Sequence, residues 1–430
     1  MCAVVVPLLC AGMASAGFAQ EPGEGSVKER VKAVRKMAGQ GSAAIPGLAR
    51  YFDDPENKVR QEAVKSVVRI GTQHSLDPLI HATGLPDPEI QVRATDGLVN
   101  FYLPGYVDSG WFGSFRKTGT AIKGYFTDIN DAMIPPDMQV RPEVIAALGK
   151  LARGGASMEA RANAARAVGI LRGQAAVPDL LEAVRSKNSE VIYEALIALQ
   201  KIRDRSAAAG VTFLLRDLDN KVQIAALETV GLLQYRDALP QLYEALLGAR
   251  NKEVRRAALT AIAMLPDERS RPHYRRHIAG DDPLLRAAAA EGFARLRTRD
   301  DAPMLQTYFD SEKKMNPRLS LAFALVMLGR VDLGEFSPLR YLVNNLNTAS
   351  YQGVAEPFLV ELAREEAVRD SLYRALPDAT KNEKLGLARV LGRSGDAASV
   401  SHLERLASDA DSDVAAEAAR SLRALKTRLG

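Results

Sequence analysis

Along most of the chain apolar residues recur at i, i+4, i+5 and i+8, as in Val222, Ala226, Leu227 and Val230, a spacing that gathers them on one face of a helix. The segments "MEARANAARAVGILRG" (158–173), "SEVIYEALIALQKIRD" (189–204), "NKVQIAALETVGLLQY" (220–235), "NKEVRRAALTAIAMLP" (251–266) and "DPLLRAAAAEGFARLR" (282–297) repeat that pattern. Each ends on an apolar anchor, and Leu171, Ile202, Leu233, Leu265, Leu296 and Leu328 follow one another at intervals of 31 or 32 residues. Ile70, Leu391 and Leu422 hold the same place elsewhere, while Glu228 falls on the polar side of its helix and is expected at the surface. Between copies lies a shorter apolar helix, such as "VPDLLEAVRS" (177–186) or "LPQLYEALLG" (239–248), so the unit is a helical hairpin. Its turn is often Asp-Pro or Asp-Asn, as at Asp54-Pro55, Asp87-Pro88, Asp219-Asn220 and Asp282-Pro283, where Asp suits the N-cap of the second helix and Pro its first turn.

One hairpin cannot bury the apolar stripes of both its helices, but a stack shares a continuous core between neighbours. The pattern therefore predicts an all-α superhelical solenoid over residues 28–430, with roughly eleven or twelve hairpins and a length on the order of 100 Å. Units such as "DPENKVRQEAVKSVVRIG" (54–71) and "DPEIQVRATDGL" (87–98) resemble HEAT repeats of the short bacterial type also found in phycobilin lyases. The resemblance covers nearly all of the chain after its leader; residues 331–380 keep helical spacing but lose the turn signature. It implies a binding scaffold whose second helices face inward, where the lining positions read Gln61, Ala162, Tyr193, Ile224, Arg256 and Ala287. Such a mixed surface suits a protein or an extended peptide better than nucleic acid, and Tyr193, Ile224 and Arg256 are its candidate contacts.

One stretch breaks the pattern. The helix "IQVRATDGLVNFYL" ends near Leu103 and the next hairpin begins around Arg141, leaving residues 104–140 as an insertion. "DSGWFGSFRKTGTAIKGYF" (108–126) packs five aromatic residues, four glycines and three basic residues together, including the only tryptophan. Trp111, Phe112, Phe115, Arg116 and Tyr125 are candidate partner contacts, and the aromatic residues are numerous enough to form a satellite cluster that shifts the Trp111 emission to the blue. Two readings stand side by side: a lid that helps hold a partner, or a plug that seals packing between repeats.

The opening "MCAVVVPLLCAGMASAGFAQEPGEG" carries no charge before Glu21 and is too short in its apolar run to span a bilayer. Ala14, Ala16 and Ala19 fit small-residue cleavage positions, which predicts a signal peptide at 1–19, a linker at 20–27 and export to the periplasm or beyond from a Gram-negative bacterium. A lipid anchor at Cys10 is the competing reading, against which the bulky Leu9 stands. Both cysteines, Cys2 and Cys10, lie in this leader, so the mature chain offers no thiol for disulfides or nucleophilic catalysis. Charge adds little: 57 basic against 52 acidic residues, interleaved, give +5, without the one-sided clustering that nucleic acid or an anionic membrane requires.

The candidate chemistry is sparse. Arg60, Arg93, Arg255 and Arg286 each follow the first apolar residue of a second helix and are read as structural, paired with turn acids such as Asp54, Asp87 and Asp282. Of five histidines only His273 and His277 share a helical face, and Arg275 and Arg276 beside them oppose a metal. HEAT-repeat hydroxylases use His-Glu dipeptides, which this chain lacks, and phycobilin lyases would sit in the cytosol. The sequence thus predicts an exported, non-enzymatic, monomeric scaffold for another protein, with no cofactor, no metal and no membrane-spanning segment after cleavage. The alternative is a lyase-type or enzyme-accessory protein that holds a small ligand under the insertion.

Overall fold

The computed structural model describes residues 24–106, 132–135 and 138–430. Every regular element among them is helical, and the chain divides into two compact units at Ile202.

In the first unit α1 (Val27–Ala38) precedes four hairpins: α2 (Ile45–Ala49) with α3 (Asn57–Ile70), α4 (Leu76–Thr83) with α5 (Pro88–Tyr102), α6 (Pro142–Gly154) with α7 (Met158–Ile170), and α8 (Val177–Ala183) with α9 (Ser189–Ile202). In the second unit the 3₁₀ stretch Arg205–Arg216 pairs with α10 (Asn220–Leu232). There follow α11 (Leu239–Gly248) with α12 (Lys252–Ala263), α13 (Arg271–Ile278) with α14 (Pro283–Leu296), and α15 (Ala302–Ser311) with α16 (Met315–Met327). The last three hairpins are α17 (Pro338–Asn344) with α18 (Ala349–Leu362), α19 (Glu366–Ala375) with α20 (Lys381–Ser394), and α21 (Ala397–Leu406) with α22 (Ser412–Leu429). Hairpins therefore continue through 331–380, where the missing turn signature is replaced by other caps: Ser337 accepts from Arg340 N, and Thr380 with Glu383 forms a capping box.

The turns show why the helices start where they do. Asp87, Asp219 and Asp282 accept backbone N–H groups two and three residues on, satisfying donors that the first turn leaves open. Asp54 is different: Pro55 and Glu56 separate it from α3, so it accepts Glu56 N and, fully buried, pairs with Arg30 at 2.9 Å. The arginines that follow the first apolar residue serve mainly the backbone. Nη1 of Arg60, Arg255 and Arg286 each donates to two successive turn carbonyls, those of residues 54 and 55, 249 and 250, and 280 and 281. Arg369 makes the same two bonds across the turn from α18 to α19. Two of the acid partners are turn acids of the next unit, as expected: Arg286 holds Glu312 and Arg60 lies 3.9 Å from Asp87, whereas Arg93 holds Glu89 one helical turn back.

The apolar stripe of α10 is the core, with Val222, Ala226, Leu227 and Val230 fully buried and the anchor Leu233 2% exposed. Leu233→Ala is expected to cost about 2–5 kcal/mol, the range for buried leucine truncations, read by urea unfolding; a loss below about 1 kcal/mol would refute its place in the core. Glu228 departs from its expected surface position: it is half-buried, and that burial raises its carboxyl above the usual range.

Several second helices end in a left-handed residue. Arg172, Arg203, Gln234 and Arg297 have φ of 52°, 64°, 58° and 56°, the conformation Gly71 adopts at the end of α3. A Cβ there costs about 1 kcal/mol. Arg172 is exposed, and Arg172→Gly is expected to raise stability by about 0.5–1 kcal/mol; unchanged or lower thermal stability would contradict this.

Candidate functional site

The most unusual chemistry of the first unit lies on the faces of α5, α7 and α9. Asp96 on α5, Asn163 and Arg166 one turn apart on α7, and Glu194 on α9 are all buried. Asn163 Nδ2 donates to Asp96 Oδ1 at 2.9 Å, and Arg166 donates to both Glu194 oxygens at 2.7 and 3.1 Å. Arg166 Nη1 reaches Asn163 Oδ1 at 3.4 Å, so one chain of contacts crosses three helices. Tyr106, just beyond α5, joins through Arg166, and burial pushes its hydroxyl far above its ordinary range. The second oxygen of Asp96 has no hydrogen-bond partner among the described residues. Burial raises its carboxyl to about 7, against the bond from Asn163 and the charges of Arg166 and Arg93, which lower it.

Chain from the end of the insertion runs beside this cluster. Ile134 is 2% exposed and its N–H donates to Ile170 O at the end of α7. Lys201 Nζ on α9 donates to Ala132 O, and Tyr102 OH accepts from Arg141 N where α6 begins. Every residue of α7 from Ala162 to Ile170 is buried, although a second helix of a two-layer stack ordinarily keeps one face in water.

Towards the N-terminus the same layer opens into a shallow groove lined by Val31, Arg35, Lys58, Gln61, Glu62, Lys65 and Arg93. Arg35 grips Glu62 at 2.8 and 3.2 Å, and Gln61 and Arg93 share Glu89. The bond from Arg35 keeps the Glu62 carboxyl below its usual range despite partial burial, and Lys65 and Arg69 add to the effect.

In the second unit the second helices carry acids and bases that cancel. Arg295 pairs with Glu291 at 3.2 Å and Glu361 at 2.9 Å, and its guanidinium lies 5.3 Å from the Phe323 ring, itself stacked on Phe358. Glu356 takes Arg389 and Arg393.

The HEAT-repeat family matches residues 145–217, 210–294 and 239–326, within the hairpins just described. Residues 145–326 of the chain are HEAT repeats. Among solved structures it is similar to the complex of CpcE and CpcF of phycocyanin lyase from Nostoc sp. PCC7120, at 17% identity over 59% of this chain and 94% of that one, with a TM-score of 0.35. It is also similar to Kap121p bound to Pho4p, at 11% identity over 94% of this chain and 56% of that one, TM-score 0.44. An engineered protein gives 19% identity over 92% of this chain and 99% of its own, TM-score 0.36. A search of the curated proteins finds no match.

The residues singled out in the sequence do not form one site. Trp111, Phe112, Phe115, Arg116 and Tyr125 lie outside the described residues, as does the leader. Tyr193 is half-buried beside Glu194 on α9, whereas Ile224 is half-buried on α10 in the other unit. Arg256 is held by Asp282 at 2.9 Å and Glu253 at 2.7 Å, so its charge is already matched. His273 stacks on Tyr243 at 4.8 Å, and burial, followed by the charge of Arg276, holds both His273 and His277 below the usual imidazole range. Among the described residues no three His, Cys, Asp or Glu side chains gather as a metal site, and no helix is long and apolar enough to cross a membrane. Asp96, Asn163, Arg166 and Glu194 were not singled out from the sequence; their signal is a polar residue inside the mostly small or apolar runs "ATDGL", "ANAARAVGI" and "VIYEALIAL".

Proposed function

We propose that this HEAT-repeat chain is an exported, monomeric scaffold that binds a segment of another protein along the second-helix layer of its first unit, without catalysis or cofactor. The observation that carries this reading is the continuity of that layer. An open, hydrogen-bonding groove over α1, α3 and α5 passes into the buried polar cluster of α5, α7 and α9, beside chain from the insertion. Mixed surfaces of this kind suit polypeptide, which offers both backbone and side-chain hydrogen bonds. The paired charges of the second unit leave little one-signed field for a phosphate backbone. The leader at 1–19 supports export to the periplasm.

The test is a photo-crosslinking amino acid placed at Gln61 or Tyr193 in the native organism, with the fully exposed turn residue Leu218 as control. Crosslinks to one polypeptide from the two layer positions, recovered in the envelope fraction, are the expected result. Crosslinks from Leu218 alone, or none, would overturn it.

The unpartnered oxygen of Asp96 favours a second reading, a small polar ligand held beneath the insertion. Native mass spectrometry of the purified protein separates the two: a bound molecule of fixed mass that Asp96→Asn removes supports the ligand.

A further inference from the structure

We propose that the open part of the first unit's groove, across α1, α3 and α5, is a docking site for an acidic, extended peptide segment. The inference rests on the scaffold reading and names its partner's chemistry.

Both carboxylates on this surface are already engaged. Glu62 is taken by Arg35, and Glu89 by Arg93 and Gln61. Lys58 and Lys65, two turns apart on α3, are exposed and line the groove, and among the described residues no carboxylate pairs with either. Arg69 continues their row one turn on, and exposed Lys28 on α1 stands on the same helical face as Val31 and Arg35. The surface therefore offers surplus positive charge in a row, with an apolar contact at Val31 within it.

Three neighbouring helices, α1, α3 and α5, at the usual interaxial spacing span about 20 Å, the reach of about six residues of extended chain. A peptide that alternates carboxylates with aliphatic side chains can set its acids against Lys58, Lys65 and Lys28 and an aliphatic group against Val31. A nucleic-acid backbone matches less well, because its evenly spaced phosphates would have to pass Glu62 and Glu89 and no aromatic ring lines the groove for bases to stack on. Anionic bilayers demand a broad, flat face rather than a groove crossed by embedded acids.

The test uses the full mature chain and a fluorescein-labelled octapeptide alternating glutamate and valine, followed by fluorescence anisotropy. Saturable binding is expected, weakening about tenfold or more as salt rises from about 0.05 to 0.3 M. The double variant K58E/K65E is expected to lose it, while its circular dichroism melt matches the parent because both positions are exposed. The glutamine–valine octapeptide is the neutral control. Equal binding of the neutral peptide, or undiminished binding by K58E/K65E, would overturn the proposal. So would tighter, lysine-dependent binding of oligothymidylate or phosphatidylglycerol vesicles. A partner that still crosslinks from Tyr193 while K58E/K65E changes nothing would sink the acidic-peptide inference and leave the scaffold standing.

Discussion

Arg166→Met is expected to remove roughly 3–5 kcal/mol from the first unit, as breaking a buried ion pair from one side does. Arg166 is 8% exposed and Glu194 3%, so the substitution leaves the Glu194 carboxylate without its two charge-assisted bonds in a place water does not reach. It also withdraws the contact to Asn163 and the positive charge that lowers the Asp96 carboxyl. The double variant R166M/E194L separates the pair's own worth from the penalty of an orphaned charge. Removing both charges is expected to recover most of the loss, since apolar groups of similar volume commonly replace buried ion pairs at little cost. Urea unfolding of the three proteins provides the check. A single-variant loss below about 1 kcal/mol would mean that Glu194 is solvated, and no recovery in the double variant would mean that the aliphatic stem of Arg166 matters more than its charge.

The repeat was legible because every hairpin meets the same demand. Val222, Ala226, Leu227 and Val230 are apolar because a neighbouring helix covers them, and the same covering recurs at each interval, so one period writes the pattern many times. Turn chemistry was legible where it is local: Asp87 and Asp282 cap the backbone just beyond themselves. Of the ion pairs, the reach of a second-helix arginine to a turn acid of the next unit was legible, as at Arg60 and Asp87, but which acid each guanidinium takes was not, because it reaches sideways between hairpins. Arg286 meets Glu312, 26 residues on, and Arg295 meets Glu361, 66 residues on, which no local spacing encodes. The cluster of Asp96, Asn163, Arg166 and Glu194 was hidden for the same reason. Each residue alone is a polar interruption of an apolar helix, and Asn163 lies 67 residues from Asp96 because an insertion separates their hairpins. The left-handed helix ends escaped notice because the usual marker is glycine, and here arginine or glutamine occupies four of them.

Asp96 makes the first unit sensitive to pH in the direction opposite to an ordinary surface carboxylate. Its folded-state value of about 7 lies above the ordinary 3.8 of an aspartate, so the folded chain binds this proton more tightly than the unfolded chain does. The associated stability is therefore fully present below about pH 4, falls as pH rises, and is gone above about pH 7, a total on the order of 4 kcal/mol. The groups facing it do not move this window to acid pH: Asn163 is uncharged, Arg166 is committed to Glu194, Arg93 to Glu89, and Glu159 raises the value further. Asp96→Asn keeps the oxygen that accepts from Asn163 and places an uncharged amide where the unpartnered oxygen stands. The variant is expected to match the parent below about pH 4 and to exceed it by about 4 kcal/mol at pH 8, with protection of α5 and α7 amides no longer falling between those values. Amide hydrogen exchange is the suitable measurement, because it reports these two helices separately from the second unit. Parallel pH profiles for the two proteins would show that Asp96 is ionised and solvated throughout; a variant weaker than the parent at pH 8 would show that the carboxylate has a cationic partner in solution, the outcome that would turn attention to a bound ligand at this cluster.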